Sequence, residues 1–170
     1  MTRAPAPSRP RAIAKHPDDI NILTLVGWVI PHQYNPDDAD AANKLEKAQT
    51  YEKHALDVIA SLSKPVTLSD EQFAAAKSQR LEQAHSGLGL IYFRKLDYDN
   101  SVKELQQATQ MAAPPDATDL YALGVGLEQL SRYSEASDAL QKCSAIPGQL
   151  QDRCKQSADQ DKTQAAAKSK

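Results

Sequence analysis

Two stretches decide the fold: Leu88-Gly89-Leu90-Ile91-Tyr92-Phe93-Arg94-Lys95-Leu96-Asp97-Tyr98 and Leu123-Gly124-Val125-Gly126-Leu127-Glu128-Gln129-Leu130-Ser131-Arg132-Tyr133. Leu-Gly opens both and Tyr closes both, at a constant offset of 35 residues. The offset persists downstream, where Ser101 pairs with Ala136, Leu105 with Leu140 and Ala108 with Cys143, and each unit closes near a proline, Pro114 or Pro147. Within each unit the apolar residues recur at helical spacing, with Leu88, Ile91 and Tyr92 on one face, or Leu123 and Leu127. Gly89 and Gly124 remove a side chain where a second helix has to come close, which offsets the ~1 kcal/mol that a mid-helix glycine costs relative to alanine. Oxygen-bearing residues in the turns, Asp97-Tyr98-Asp99-Asn100 and Ser131-Arg132-Tyr133-Ser134, are placed to cap the helix that follows. Each unit therefore reads as a helical hairpin, and hairpins of this kind bury their faces only by stacking.

The period, the Leu-Gly pair, the small residue on the second helix and the closing proline together resemble the tetratricopeptide repeat. The resemblance implies an all-α chain, an α-solenoid of stacked antiparallel hairpins with a polar helix capping its C-terminal end. In the same register Val26-Gly27 falls where Leu88-Gly89 does, and a second helix carries Ala48, Tyr51, Ala55, Leu56 and Ile59. Reaching Ala48 requires an insertion of about nine residues over the ~34-residue period, supplied by the segment around Pro31 to Asp38. The expected organisation is a basic, proline-rich arm over 1–16, a degenerate unit with an inter-helix insertion over 17–64, a unit with an extended first helix over 65–115, a further unit over 116–147, and a polar capping helix with a fraying tail over 148–170. The extension follows from Ser69 or Asp70 as helix cap with Glu71 and Gln72 in the first turn, and from a continuous face through Phe73, Leu81, Ala84, Leu88 and Ile91.

In proteins with this repeat the first helices line a concave groove. The resemblance places Asn21, Thr24 and Trp28 there from the degenerate unit. Gln83, Ser86, Leu90, Phe93 and Arg94 follow from the next, and Thr118, Tyr121, Val125, Glu128 and Gln129 from the last. Some members grip a peptide carboxylate with Lys, Asn and Arg at such places, and here Arg94 is the suitable cation. The expected peptide-binding residues are Trp28, Leu90, Phe93, Arg94, Tyr121 and Val125, a surface suited to an apolar or amphipathic segment of another protein. An alternative is that Trp28, Leu90 and Phe93 are covered by the chain itself. Self-association within a larger, exported repeat assembly is a second reading, because an uncapped first unit exposes an apolar side.

The remaining chemistry is sparse. The net charge of −2 supplies no field for nucleic acid, and no apolar run approaches the ~20 residues of a membrane span. A disulfide between Cys143 and Cys154 would staple the last hairpin to the cap. Alternatively, both are thiols, with Cys143 filling the small position that Ala108 fills one unit earlier. His16, His32, His54 and His85 lack the i, i+4 pairing of a helical zinc site, and Asp37-Asp38-Ala39-Asp40 lacks the glycine and glutamate of a calcium loop. No phosphate-cradling loop and no nucleophile with a base is found. No catalytic residue, metal or cofactor is expected. The order of basic, apolar and small residues does not match a secretory signal, so the sequence as it stands reads as cytoplasmic. Ala12 to Pro17 looks like the tail of an earlier repeat, and a truncated start would admit a periplasmic or exported protein.

Overall fold

The computed structural model describes residues 16–168, and among them it contains seven helices and no strand. They are α1 (Ile20–His32), α2 (Ala41–Ser61), α3 (Asp70–Arg94), α4 (Tyr98–Met111), α5 (Ala117–Gln129), α6 (Tyr133–Ser144) and α7 (Gln151–Lys168). Apart from His16, the arm expected over 1–16 lies outside the described residues.

Local chemistry sets the helix ends. Asp19, Asp97 and Asp116 each accept a backbone N–H of the following first turn, satisfying donors that have no partner inside the helix. Ser69 starts α3 through a reciprocal capping box with Gln72, at 3.1 and 2.9 Å, and the helix runs 25 residues, the extension expected of it. The start of α6 differs from expectation. Neither Ser131 nor Ser134 caps it; Arg132 takes the cap position without a side-chain bond to the helix and forks onto Glu135 at 2.8 and 2.6 Å.

The turns after α3 and α5 have the same construction. Asp97 N–H donates to Tyr92 O at 3.0 Å and Leu96 N–H to Phe93 O at 3.1 Å. Thirty-five residues on, Arg132 N–H donates to Leu127 O at 2.9 Å and Ser131 N–H to Glu128 O at 2.8 Å. Both are Schellman closures, and Leu96 and Ser131 adopt the left-handed conformation they need, with φ of 61° and 59°.

Packing runs along the chain and also skips one helix. α1 packs on α2 and α3, α3 on α4 and α5, and α5 on α6, while α2 meets α3, α4 meets α5, and α6 meets α7. A Cβ on Gly89 would fall inside the Leu105 side chain, and one on Gly124 inside Leu140. In each of these two hairpins a fully buried leucine of the second helix therefore fills the glycine's notch, and at Gly89 the backbone of Leu105 also comes close. Burial of such a leucine stabilises by about 1.5–3 kcal/mol. The largest cluster joins Leu90, Val102, Leu105, Ala122, Leu123, Leu127, Ala136 and Ala139, uniting the second and third hairpins. A second, of Leu120, Leu140, Cys143, Cys154 and Ala158, seats α7. Leu45, Ala48 and Ile91 join the first hairpin to α3.

Candidate functional site

Asp19 fixes the start of α1, and 13 residues of largely apolar sequence then have two neighbours to serve, α2 and α3. Leu23, Val26 and Val29 face those neighbours and are buried, which leaves Leu25 and Trp28 outside at 53% and 45% exposure. The Trp28 ring stacks on His32 with centroids 4.0 Å apart, and His32 Nδ1 lies 2.7 Å from Trp28 O. The indole is thus held in place while its other face meets solvent. Beside it a cavity of about 380 Å³ is lined by Asn21, Thr24, Leu25 and Trp28 of α1 and Gln83 of α3. Thr24 Oγ1 donates to Ile20 O at 2.8 Å, and the Arg80 guanidinium donates to the Asn21 side-chain oxygen. An apolar wall faces two amides here, an arrangement that suits a peptide presenting one large apolar side chain.

Asn21, Thr24, Trp28 and Gln83, expected on the groove, do come together. The rest of the expected stripe is divided. Leu90 is buried within the cluster formed with the third hairpin, and Phe93 is half-buried against it, edge-on to Tyr98 at 6.1 Å. Arg94 Nε donates to Pro31 O at 3.1 Å and its guanidinium lies 5.9 Å over the Tyr34 ring, so it closes the C-terminal end of α1. Tyr121 is half-buried with Arg153 of α7 5.7 Å from its ring, and Val125 is half-buried. Leu25 and Arg80, which the expected groove omitted, belong with Trp28. Leu25 lies one residue from Thr24 and three from Trp28, so helical spacing alone could have found it.

A second cavity, about 460 Å³, opens between α1, α2 and their connection, with Val26, Val29, Ile30, Tyr34, Lys47 and Tyr51 among its walls. It lies on the side of the first hairpin that carries no described helix.

Buried carboxyl groups form a separate feature. Glu52 of α2 is fully buried at 0% exposure, and neither carboxyl oxygen has a hydrogen-bond partner. It inserts between Gly27 of α1 and Gly87 of α3, where a Cβ on either glycine would collide with its carboxyl group. Burial raises the Glu52 carboxyl well above the ordinary glutamate range. Asp119 of α5, also buried, accepts from Ser86 Oγ of α3 at 3.0 Å. Burial pushes it up to about 7, opposed by the Ser86 bond and assisted by the charges of Asp116 and Glu82. Asp161 of α7 is buried, with Oδ2 lacking a hydrogen-bond partner, and the half-buried Glu128 of α5 is pushed up to about 7 by burial first and then by the charge of Asp161. Burial raises Asp161 as well.

Cys143 and Cys154 form a disulfide with Cα atoms 5.8 Å apart. It ties α6 to α7 and contributes roughly 2–4 kcal/mol by constraining the unfolded chain. Ser137 Oγ donates to Ala158 O at 3.0 Å across the same contact. Among the described residues no group of three or more His, Cys, Asp or Glu side chains is placed to hold a metal ion, and no helix is long and apolar enough to cross a membrane. Comparison with protein-family models, with curated proteins and with solved structures finds no match.

Proposed function

We propose that the chain is a tetratricopeptide-like array that binds an apolar or amphipathic segment of another protein, with Trp28 as the anchor. Three repeated details support the array: the Gly89–Leu105 and Gly124–Leu140 notches, the Schellman turns 35 residues apart, and the contacts between successive first helices, α1 with α3 and α3 with α5. The observation that carries the binding reading is the exposed Trp28–Leu25 pair beside a cavity walled by Asn21, Thr24 and Gln83. Large aromatic side chains in such settings supply most of the energy of protein interfaces. The proposed groove is shorter than the six-residue stripe, because the third hairpin already occupies Leu90 and Phe93. No catalytic role is proposed. The Cys143–Cys154 bond supports an oxidising, exported setting over a cytoplasmic one.

Trp28 is the chain's one tryptophan, so its fluorescence reports the site directly. Titration with a panel of amphipathic helical peptides should give saturable spectral shifts, and the double change Leu25→Asn with Gln83→Ala should weaken binding about tenfold or more, as loss of an interface anchor does. A spectrum unmoved by every peptide, or affinity unchanged by the double change, rejects the site. Self-association is the second reading, favoured by the cavity between α1 and α2 on the open side of the first hairpin. Sedimentation across concentration separates the two, since a monomer at all concentrations removes self-assembly.

A further inference from the structure

The buried carboxyl groups are not scattered. Glu52 of α2 lies between the first hairpin and α3. Asp119 joins α5 to α3 through Ser86. At the last junction Asp161 of α7 is buried with Oδ2 unpartnered, and its charge acts on Glu128 of α5. Each junction between consecutive structural units thus contains carboxyl groups withdrawn from water.

None of these groups is hydrogen-bonded to a cation. Toward Glu52, α1 offers no acidic or basic side chain but His32, and that ring is stacked on Trp28. From α3, Lys77 reaches Ala60 O at 3.4 Å, Arg80 the Asn21 side chain, His85 Glu104 at 2.6 Å and Arg94 Pro31 O at 3.1 Å, and Lys95, just past its end, reaches Glu46 and Gln49 at 2.5 and 2.7 Å. Within α2, Lys53 lies over the Tyr92 ring and His54 faces Asp18. Asp119 faces Ser86 and Glu82 of α3 and Asp116, the cap of its own helix, so the charges acting on it are of its own sign. At the last junction the facing groups are two carboxyls, while Lys168 of α7 goes to Ser131 O and the Tyr133 ring. A buried charge with no counter-charge is unstable, and the group neutralises by keeping its proton.

We propose that the three junctions are closed by uncharged carboxyl groups, so that the array locks in mildly acidic surroundings and loosens junction by junction as protons are withdrawn. The position of Glu52 makes the point without reference to titration. It stands where Leu105 and Leu140 stand in the other hairpins, four residues after the small residue Ala48, as Leu105 is four after Ser101 and Leu140 four after Ala136. A protonated glutamate substitutes for leucine in that notch; an ionised one does not. A carboxyl whose folded value is raised contributes stability that is complete below its unfolded value, roughly pH 4, and is lost as pH rises through the folded one. For Asp119 and Glu128 the folded value is about 7, which sets the window between mildly acidic and neutral pH.

Thermal unfolding of the full, disulfide-bonded chain between pH 5 and pH 8 tests this. The midpoint should fall by about 5 °C or more over that range, a shift that corresponds to the loss of one or two such groups in a chain of this size. Glu52→Leu, which gives the first hairpin the residue of the others, should raise the midpoint by an amount that grows with pH. Glu52→Gln, neutral and of the same shape, should show the same growth, and it carries the comparison if the leucine variant does not fold. Asp161→Asn should flatten the curve at the cap junction. A wild-type midpoint that is level or rises toward pH 8 overturns the proposal. So does a slope that survives all three substitutions, because it then belongs to exposed carboxyls.

Discussion

The first hairpin and the two that follow it share a backbone design and fill it differently. In the second and third, a glycine on the first helix, Gly89 or Gly124, admits a leucine of the second, Leu105 or Leu140. In the first, Gly27 admits Glu52, and the next helix yields as well, with Gly87 against the same side chain. The residue 35 positions after Gly87 is Ala122, a member of the cluster that contains Leu105. The glutamate thus takes a notch with glycine on both walls where the leucine has alanine on one. What repeats is a glycine that makes room for a side chain of the second helix, filled by Glu52 in the first hairpin and by leucine in the other two.

The comparison can be broken first by truncation. Leu105→Ala or Leu140→Ala should cost about 2–5 kcal/mol in urea unfolding, because each removes a fully buried side chain and leaves a cavity. Glu52→Ala at pH 8 should cost less than about 1 kcal/mol, since the lost packing is offset by removal of a buried polar group that has no partner. Equal losses at all three positions would mean that Glu52 is satisfied in a way the geometry does not show. A smaller effect separates the turns. Leu96→Gly and Ser131→Gly should each stabilise by up to about 1 kcal/mol, because both residues adopt a left-handed conformation that glycine reaches without steric cost. The first hairpin has an eight-residue connection between α1 and α2 instead of this turn, so no equivalent gain exists there. Destabilisation by either change would show that the exposed Leu96 or the Ser131 side chain contributes packing.

Much of this was legible in the sequence because repetition is a strong signal. The Gly89–Gly124 and Leu105–Leu140 correspondences locate the notches, the insertion of about nine residues puts Ala48 in register, and Ser69 with Gln72 marks the start of α3. Glu52 was hidden for a chemical reason. A glutamate among Tyr51, Lys53 and His54 reads as part of a solvated face, and only strict counting from Ala48 puts it in the leucine's place. Asp161 was hidden in the same way within a polar helix, although it lies three and seven residues from the inward-facing Ala158 and Cys154. The groove was half legible. Helical spacing identifies Trp28 as outward-facing, but whether Leu90 and Phe93 are free depends on how far the third hairpin leans across α3, a tertiary fact that no local pattern encodes.

The most direct test of the account is the titration of the Glu52 side-chain carboxyl in the intact chain, followed by the carbon chemical shift of that group from pH 4 to pH 8. The account predicts that Glu52 keeps its proton through the range in which an ordinary solvated glutamate loses its own, with its transition well above that range. A Glu52 transition that falls within that ordinary range would contradict it, and the first hairpin would then be held together by something other than an uncharged side chain in a leucine's place.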